Sequence, residues 1–204
     1  MAIKPILINT EMVRAILDGR KTCTRRLPRK QIEEKYLEYE EWVCAVAPPG
    51  STWLSKKEFY EEYPPYQLGD VLYVRETWHR YTKRVGEGGK CHLEERYGYK
   101  ASIENSEDAD EPWRPSIHMP KEAARIWLKV TDVQVERLQD MTDDDAEAEG
   151  CFDYTSTALG FPDVWDSTIK KSDLDRYGWA ANPYVFVIEF SKIDKPEEAE
   201  HERK

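Results

Sequence analysis

Gly19-Arg20-Lys21-Thr22-Cys23-Thr24-Arg25-Arg26 crowds a lysine, two threonine hydroxyls and three guanidinium groups into one short run. Packed cations disfavour a further positive charge, so a lysine among them is more readily neutral and able to act as a base. A threonine hydroxyl is a weak nucleophile until such a base adjoins it. An arginine next to both can hold a developing oxyanion. On an extended chain Thr22, Thr24 and Arg26 share one face, and Cys23 and Arg25 share the other with Lys21. Lys21 leaves Gly19 directly, however, so strand parity alone does not fix its direction. Without partners from elsewhere, the same run is a solvated basic edge strand that resists aggregation.

Three further groups of residues can bind or react. Arg75-Glu76-Thr77-Trp78 follows the apolar run Val71–Val74, where a strand end can line a cavity mouth. A structural Arg75–Glu76 or Glu76–Arg26 ion pair accounts for it equally well. Trp113 can stack on a base, and Ser116 and His118 can hydrogen-bond to one. Glu149, in Ala146-Glu147-Ala148-Glu149-Gly150, falls at the C-terminal end of an acidic helix, where the helix dipole opposes a carboxylate. Cys91-His92 is the nearest thing to a metal-binding fragment and lacks partners at zinc spacing, so no metal and no cofactor are expected. The chain carries no phosphate-binding loop, nucleophile elbow or dinucleotide fingerprint.

The elements that must position these residues follow from periodicity. Pro5–Ile8 reads as a strand, Glu11–Asp18 as a helix capped by Asn9-Thr10 and stopped by Gly19, and Lys21–Leu27 as a strand. Residues 31–66 read as an acidic, aromatic insertion with a helix from Glu33 to Trp42. Leu68-Gly69-Asp70 is a turn before the strand Val71–Val74. Residues 78–100 form a hairpin around Gly86–Gly89, and residues 81–111 count as a second insertion that ends in an acidic loop. Trp113–Pro120 is extended. A long strand, bulged near Thr131-Asp132, covers 124–135. Thr142 caps a helix, Ser167–Tyr177 forms another, and Tyr184–Phe190 is the strongest strand. Strand-helix alternation is missing, so the fold class is α+β. One domain over residues 1–193, with a charged tail over 194–204, accommodates these elements.

The chain has 204 residues, 40% of them hydrophobic, which is enough for a core. Its net charge of -10 argues against holding long duplex nucleic acid, since phosphate is repelled. A nucleoside or a short strand remains compatible, because the cations concentrate between Arg14 and Lys30. The scattered cysteines Cys23, Cys44, Cys91 and Cys151 suit the reducing cytoplasm. No apolar run is long enough for a membrane span, so no membrane partner is expected.

Ile16–Arg26, Leu68–Val74 and Phe186–Phe190 together resemble the ASCH domain, and nearly the whole chain is similar to ASCH proteins encoded by phages and prophages. Supporting runs are Asn9–Val13, Val74–Trp78, Pro115–Pro120, Glu136–Asp140 and Asn182-Pro183. The resemblance implies a PUA-like mixed β-barrel flanked by helices, with a cleft lined by a Gly-x-Lys-x-x-(Glu or Thr)-x-Arg motif. It further implies a metal-independent amidohydrolase acting on N(4)-acylated cytosine nucleosides. Lys21, Thr24 and Glu149 then match that enzyme's catalytic positions. Lys21 is cast as the base, Thr24 as nucleophile or water-positioner, and Glu149 as the acid that protonates the leaving nitrogen. Arg26, Arg75, Glu76, Trp78, Trp113, Ser116 and His118 are the expected ligand contacts. Two other outcomes are compatible with the same residues: a module that binds RNA or a modified base without turnover (or a ribonuclease), and a phage assembly protein with a vestigial cleft.

Overall fold

The computed structural model describes residues 1–28, 36–39, 42–45, 53–87, 91–102, 112–151 and 157–197. The chain is α+β and forms two compact units. One contains residues 20–70 and 130–191. The other contains 2–19, 71–129 and the residues from 192 onward.

In the first unit β2 (Cys23–Arg26) pairs antiparallel with β10 (Tyr184–Ile193), which puts Thr24 opposite Ile188 and Arg26 opposite Phe186. The strand order continues from β10 to β9 (Trp127–Arg137). Three short strands, β3 (Tyr36–Tyr39), β4 (Trp42–Ala45) and β5 (Trp53–Ser55), make a separate antiparallel sheet. The described part of the expected 33–42 helix is therefore strand: Tyr36, Tyr39, Trp42 and Val43 favour a pleated ribbon over a helix. Helix α2 (Lys56–Glu61) begins in a capping box made by Ser55 and Glu58 and buries Phe59 and Tyr60. Tyr60 meets the Phe186 ring edge-on, with centroids 6.3 Å apart.

Helix α3 (Asp143–Ala148) starts from a second capping box, Thr142 with Asp145, and Gly150 at φ 92° ends it. Helix α4 covers Thr157–Thr168, earlier than the expected 167–177 helix, and only the single turn α5 (Leu174–Tyr177) falls within that range. The physical reason is a return of the chain onto α4. Trp165 Nε1 donates to Tyr177 O at 2.8 Å, and Asp166 Oδ1 accepts from Trp179 N at 2.7 Å, so a continuous helix cannot form. Leu138, Ala146, Cys151, Phe161, Trp165 and Val185 close the core there.

In the second unit β1 (Ile3–Leu7) runs parallel to β6 (Val71–Arg75), and β6 pairs antiparallel with the start of β9. Asn9 Oδ1 caps α1 (Thr10–Leu17) at Met12 N. The expected hairpin is β7 (Trp78–Val85) against β8 (His92–Tyr99) in unbroken register. The Trp113–Pro120 segment is not extended throughout. Arg114 bridges to Trp78, and Ser116–His118 then tighten into a 3₁₀ turn. The acidic stretch 103–111 lies outside the described residues, as does most of the tail.

His79 lies flat between Trp113 (centroids 4.5 Å, 17° between planes) and Gly98. A Cβ on Gly98 would come within 1.9 Å of His79 Nε2. The Trp113 stack leaves that ring no easy retreat, so Gly98→Ala is expected to destabilise the protein by about 1–3 kcal/mol. Urea unfolding measures it, and an unchanged midpoint would mean the hairpin yields freely.

No strand order among the described residues closes on itself, and no described helix is long and apolar enough to cross a membrane.

Candidate functional site

Lys21 reaches its place because the chain between Gly19 and β2 is pinned on both sides. Thr22 N donates to Ala148 O at 2.8 Å, and Phe190 N donates to Thr22 O at 2.9 Å. The lysine is thereby laid against the end of α3. Its Nζ donates to Glu149 Oε2 at 2.5 Å and to Glu149 O at 2.9 Å. Only 2% of the Lys21 side chain and 8% of the Glu149 side chain are exposed.

This placement answers the dipole objection raised by the sequence. Glu149 is the C-cap of α3, where carbonyl oxygens already concentrate negative charge. One ammonium group compensates both the carboxylate and the terminal carbonyl. The other carboxylate oxygen, Oε1, accepts the backbone N–H of Arg25 at 2.5 Å. Glu149 thus takes one donor from a side chain and one from a strand edge, which leaves it little freedom to rotate.

Arg25 completes the arrangement and was not among the expected ligand or catalytic residues. Its side chain is 1% exposed. Nη2 lies 2.8 Å from Glu136 Oε1, Nε donates to the same oxygen at 2.9 Å, and Nη2 is 3.6 Å from Asp145 Oδ1. Nη1 is 3.7 Å from Glu149 Oε1. Burial weakens the Arg25 charge, but Glu149 and Glu136 more than offset this and raise its pKa above the ordinary arginine value. Asp145 is also partly desolvated, yet the Thr142 backbone and hydroxyl, with Arg25, hold it below the usual aspartate value. Two cations and three carboxylates form one cluster with a formal excess of one negative charge, so Lys21 and Arg25 do not present a free cationic patch.

Cys23 shares the Arg25 face, with Sγ 4.0 Å from Nη1. Burial, with Glu149, pushes its thiol up to about 12, so it is protonated and unreactive at neutral pH. Burial likewise raises Cys151. Thr24 is buried on the opposite face of β2 by strand alternation. Among the described residues no hydrogen bond joins its hydroxyl to Lys21 or Glu149.

The remaining expected contacts divide between the units. Arg26 is half-buried on β2 in the first. Arg75, Glu76, Trp78, Trp113, Ser116 and His118 belong to the second, where each has a local role or none. Glu76 is buried and pairs with Arg125 through both oxygens, at 2.8 and 2.9 Å, rather than with Arg75 or Arg26. Arg75 Nη1 donates to Ile117 O at 3.3 Å. Trp78 lies in a core cluster with Tyr73, Met119 and Trp127, and Arg114 covers its ring at 5.4 Å. One face of Trp113 is occupied by His79. Ser116 is half-buried and His118 exposed. Buried donors Trp78 Nε1 and Arg75 Nε have no acceptor among the described residues. No group of three or more metal-ligating side chains occurs among the described residues. No protein-family model, no curated protein and no solved structure matches the chain.

Proposed function

We propose that this chain is an ASCH-type, PUA-like protein that hydrolyses N(4)-acylated cytosine nucleosides without a metal. The observation that supports the reading is the buried Lys21–Glu149 contact, made by residues 128 apart in sequence. The contact places a potential base and a potential acid at one buried point. Moving the proton from Nζ to Oε2 gives a neutral amine and a neutral carboxylic acid, the two forms that amide hydrolysis requires.

Lys21 then accepts the proton of a water that Thr24 holds, since Thr24 itself makes no hydrogen bond to Lys21 among the described residues, as the water oxygen bonds to the acyl carbon. The tetrahedral oxyanion is held by a guanidinium, for which Arg26 is assigned. Glu149 gives its proton to the cytosine nitrogen as the C–N bond breaks. Arg25 fixes Glu149 throughout.

Purified protein is expected to release cytidine from N(4)-acetylcytidine, measured by chromatography, with Lys21→Ala, Thr24→Ala and Glu149→Ala lower by about 10³-fold or more. Absence of turnover by the wild type on a panel of N(4)-acylated cytosine nucleosides would end this proposal. Salt-sensitive oligonucleotide binding without turnover would point to the non-catalytic module instead.

A further inference from the structure

We infer that a cavity in the first unit, separate from the Lys21–Glu149 contact, binds a planar ligand with an N–H-rich edge that is neutral or singly cationic and carries no phosphate. The cavity holds about 400 Å³, within the range of small-molecule sites. Phe186 and Val135, both buried, line it, and Tyr66 and Pro64 add flat surfaces. Such a lining accepts a ring.

Polarity comes from the neighbouring stretch of β9. Gln134 Nε2 donates to Asp132 Oδ2 at 2.6 Å, and both residues line the cavity. That bond uses an amide donor and one carboxylate oxygen. Gln134 Oε1 and Asp132 Oδ1 make no hydrogen bond among the described residues and remain acceptors at the cavity, so the complementary ligand edge carries N–H donors. Charge agrees: Glu61 and Asp132 set two carboxylates against the single ammonium of Lys57. An anionic ligand meets net repulsion there, whereas an amine or amidinium does not.

Benzamidine, benzamide and benzoate share one ring and differ only at the edge, so they isolate this preference. Amide chemical shifts in ¹H–¹⁵N spectra are followed during titration of the full chain. Benzamidine is expected to move the signals of Gln134, Val135 and Phe186 with a millimolar-range Kd, and benzoate to bind about tenfold more weakly or worse. Asp132→Asn should lower benzamidine affinity about tenfold and close the gap to benzoate. Gln134→Leu, which removes the second acceptor, should weaken benzamidine as well. Benzoate binding as tightly as benzamidine, shifts confined to other regions, or affinity unchanged in both variants would overturn the inference. So would no saturation by benzamidine at concentrations on the order of 10 mM. The readout is independent of turnover, so the hydrolase proposal and this one fail separately.

Discussion

Lys21→Met is expected to cost about 3–5 kcal/mol of folding stability on its own, and Lys21→Met with Glu149→Leu to cost clearly less than the two single changes combined. The lone lysine change leaves a buried carboxylate and a helix-terminal carbonyl without their cation. The lone glutamate change leaves a buried ammonium facing the helix C-terminus. Removing both takes away the uncompensated charges and fills the space with apolar volume. What remain in the double variant are the Arg25 N–H deprived of its acceptor and the Glu149 carbonyl deprived of its donor, each a penalty of about 1–3 kcal/mol. Chemical denaturation of the four proteins gives the coupling directly. Additive losses would show that the two side chains do not act as a pair. A double variant near wild-type stability that has lost turnover would show that the ion pair serves chemistry rather than folding.

The second large effect belongs to Arg25. Arg25→Met is expected to destabilise by about 3–5 kcal/mol, because it strips a buried cation from Glu136, Asp145 and Glu149 together. The pH dependence has a definite sign. The native pKa of Asp145 is below its ordinary value of 3.8, so its contribution is present above that value and is lost as pH falls through the native one. Arg25 supplies part of that depression, so the stability gap between wild type and variant should narrow in acid. Thermal unfolding at pH 7 and at a pH well below 3.8 tests it. A gap that widens on acidification would contradict the assigned partners.

How far the sequence disclosed all this varies with the physical signal. Local signals were readable: Asn9 and Thr142 as caps, Gly19 and Gly150 as helix stops, and the apolar runs that became β6 and β10. Strand alternation correctly set Arg25 and Cys23 on one face. Nothing local marks Glu149 as a partner of Lys21, since only the resemblance joined two positions so distant in the chain. Arg25 was passed over because its partners, Glu136 and Asp145, come from β9 and α3, and a cation's acceptors across such distances leave no periodic trace. The Glu76–Arg125 pair was hidden for the same reason. The expected 33–42 helix gives way to strand where it is described because Tyr36, Tyr39 and Trp42 favour a pleated ribbon.

The hydrogen bond from Arg25 N to Glu149 Oε1 gives the carboxylate a second duty. Among the described residues β2 is the outer strand beyond β10, and this side chain occupies a backbone donor that would otherwise solicit a foreign strand. The end of α3 reinforces the cover, since Thr22 N donates to Ala148 O, so the helix terminus that places Glu149 also shields this edge from another molecule.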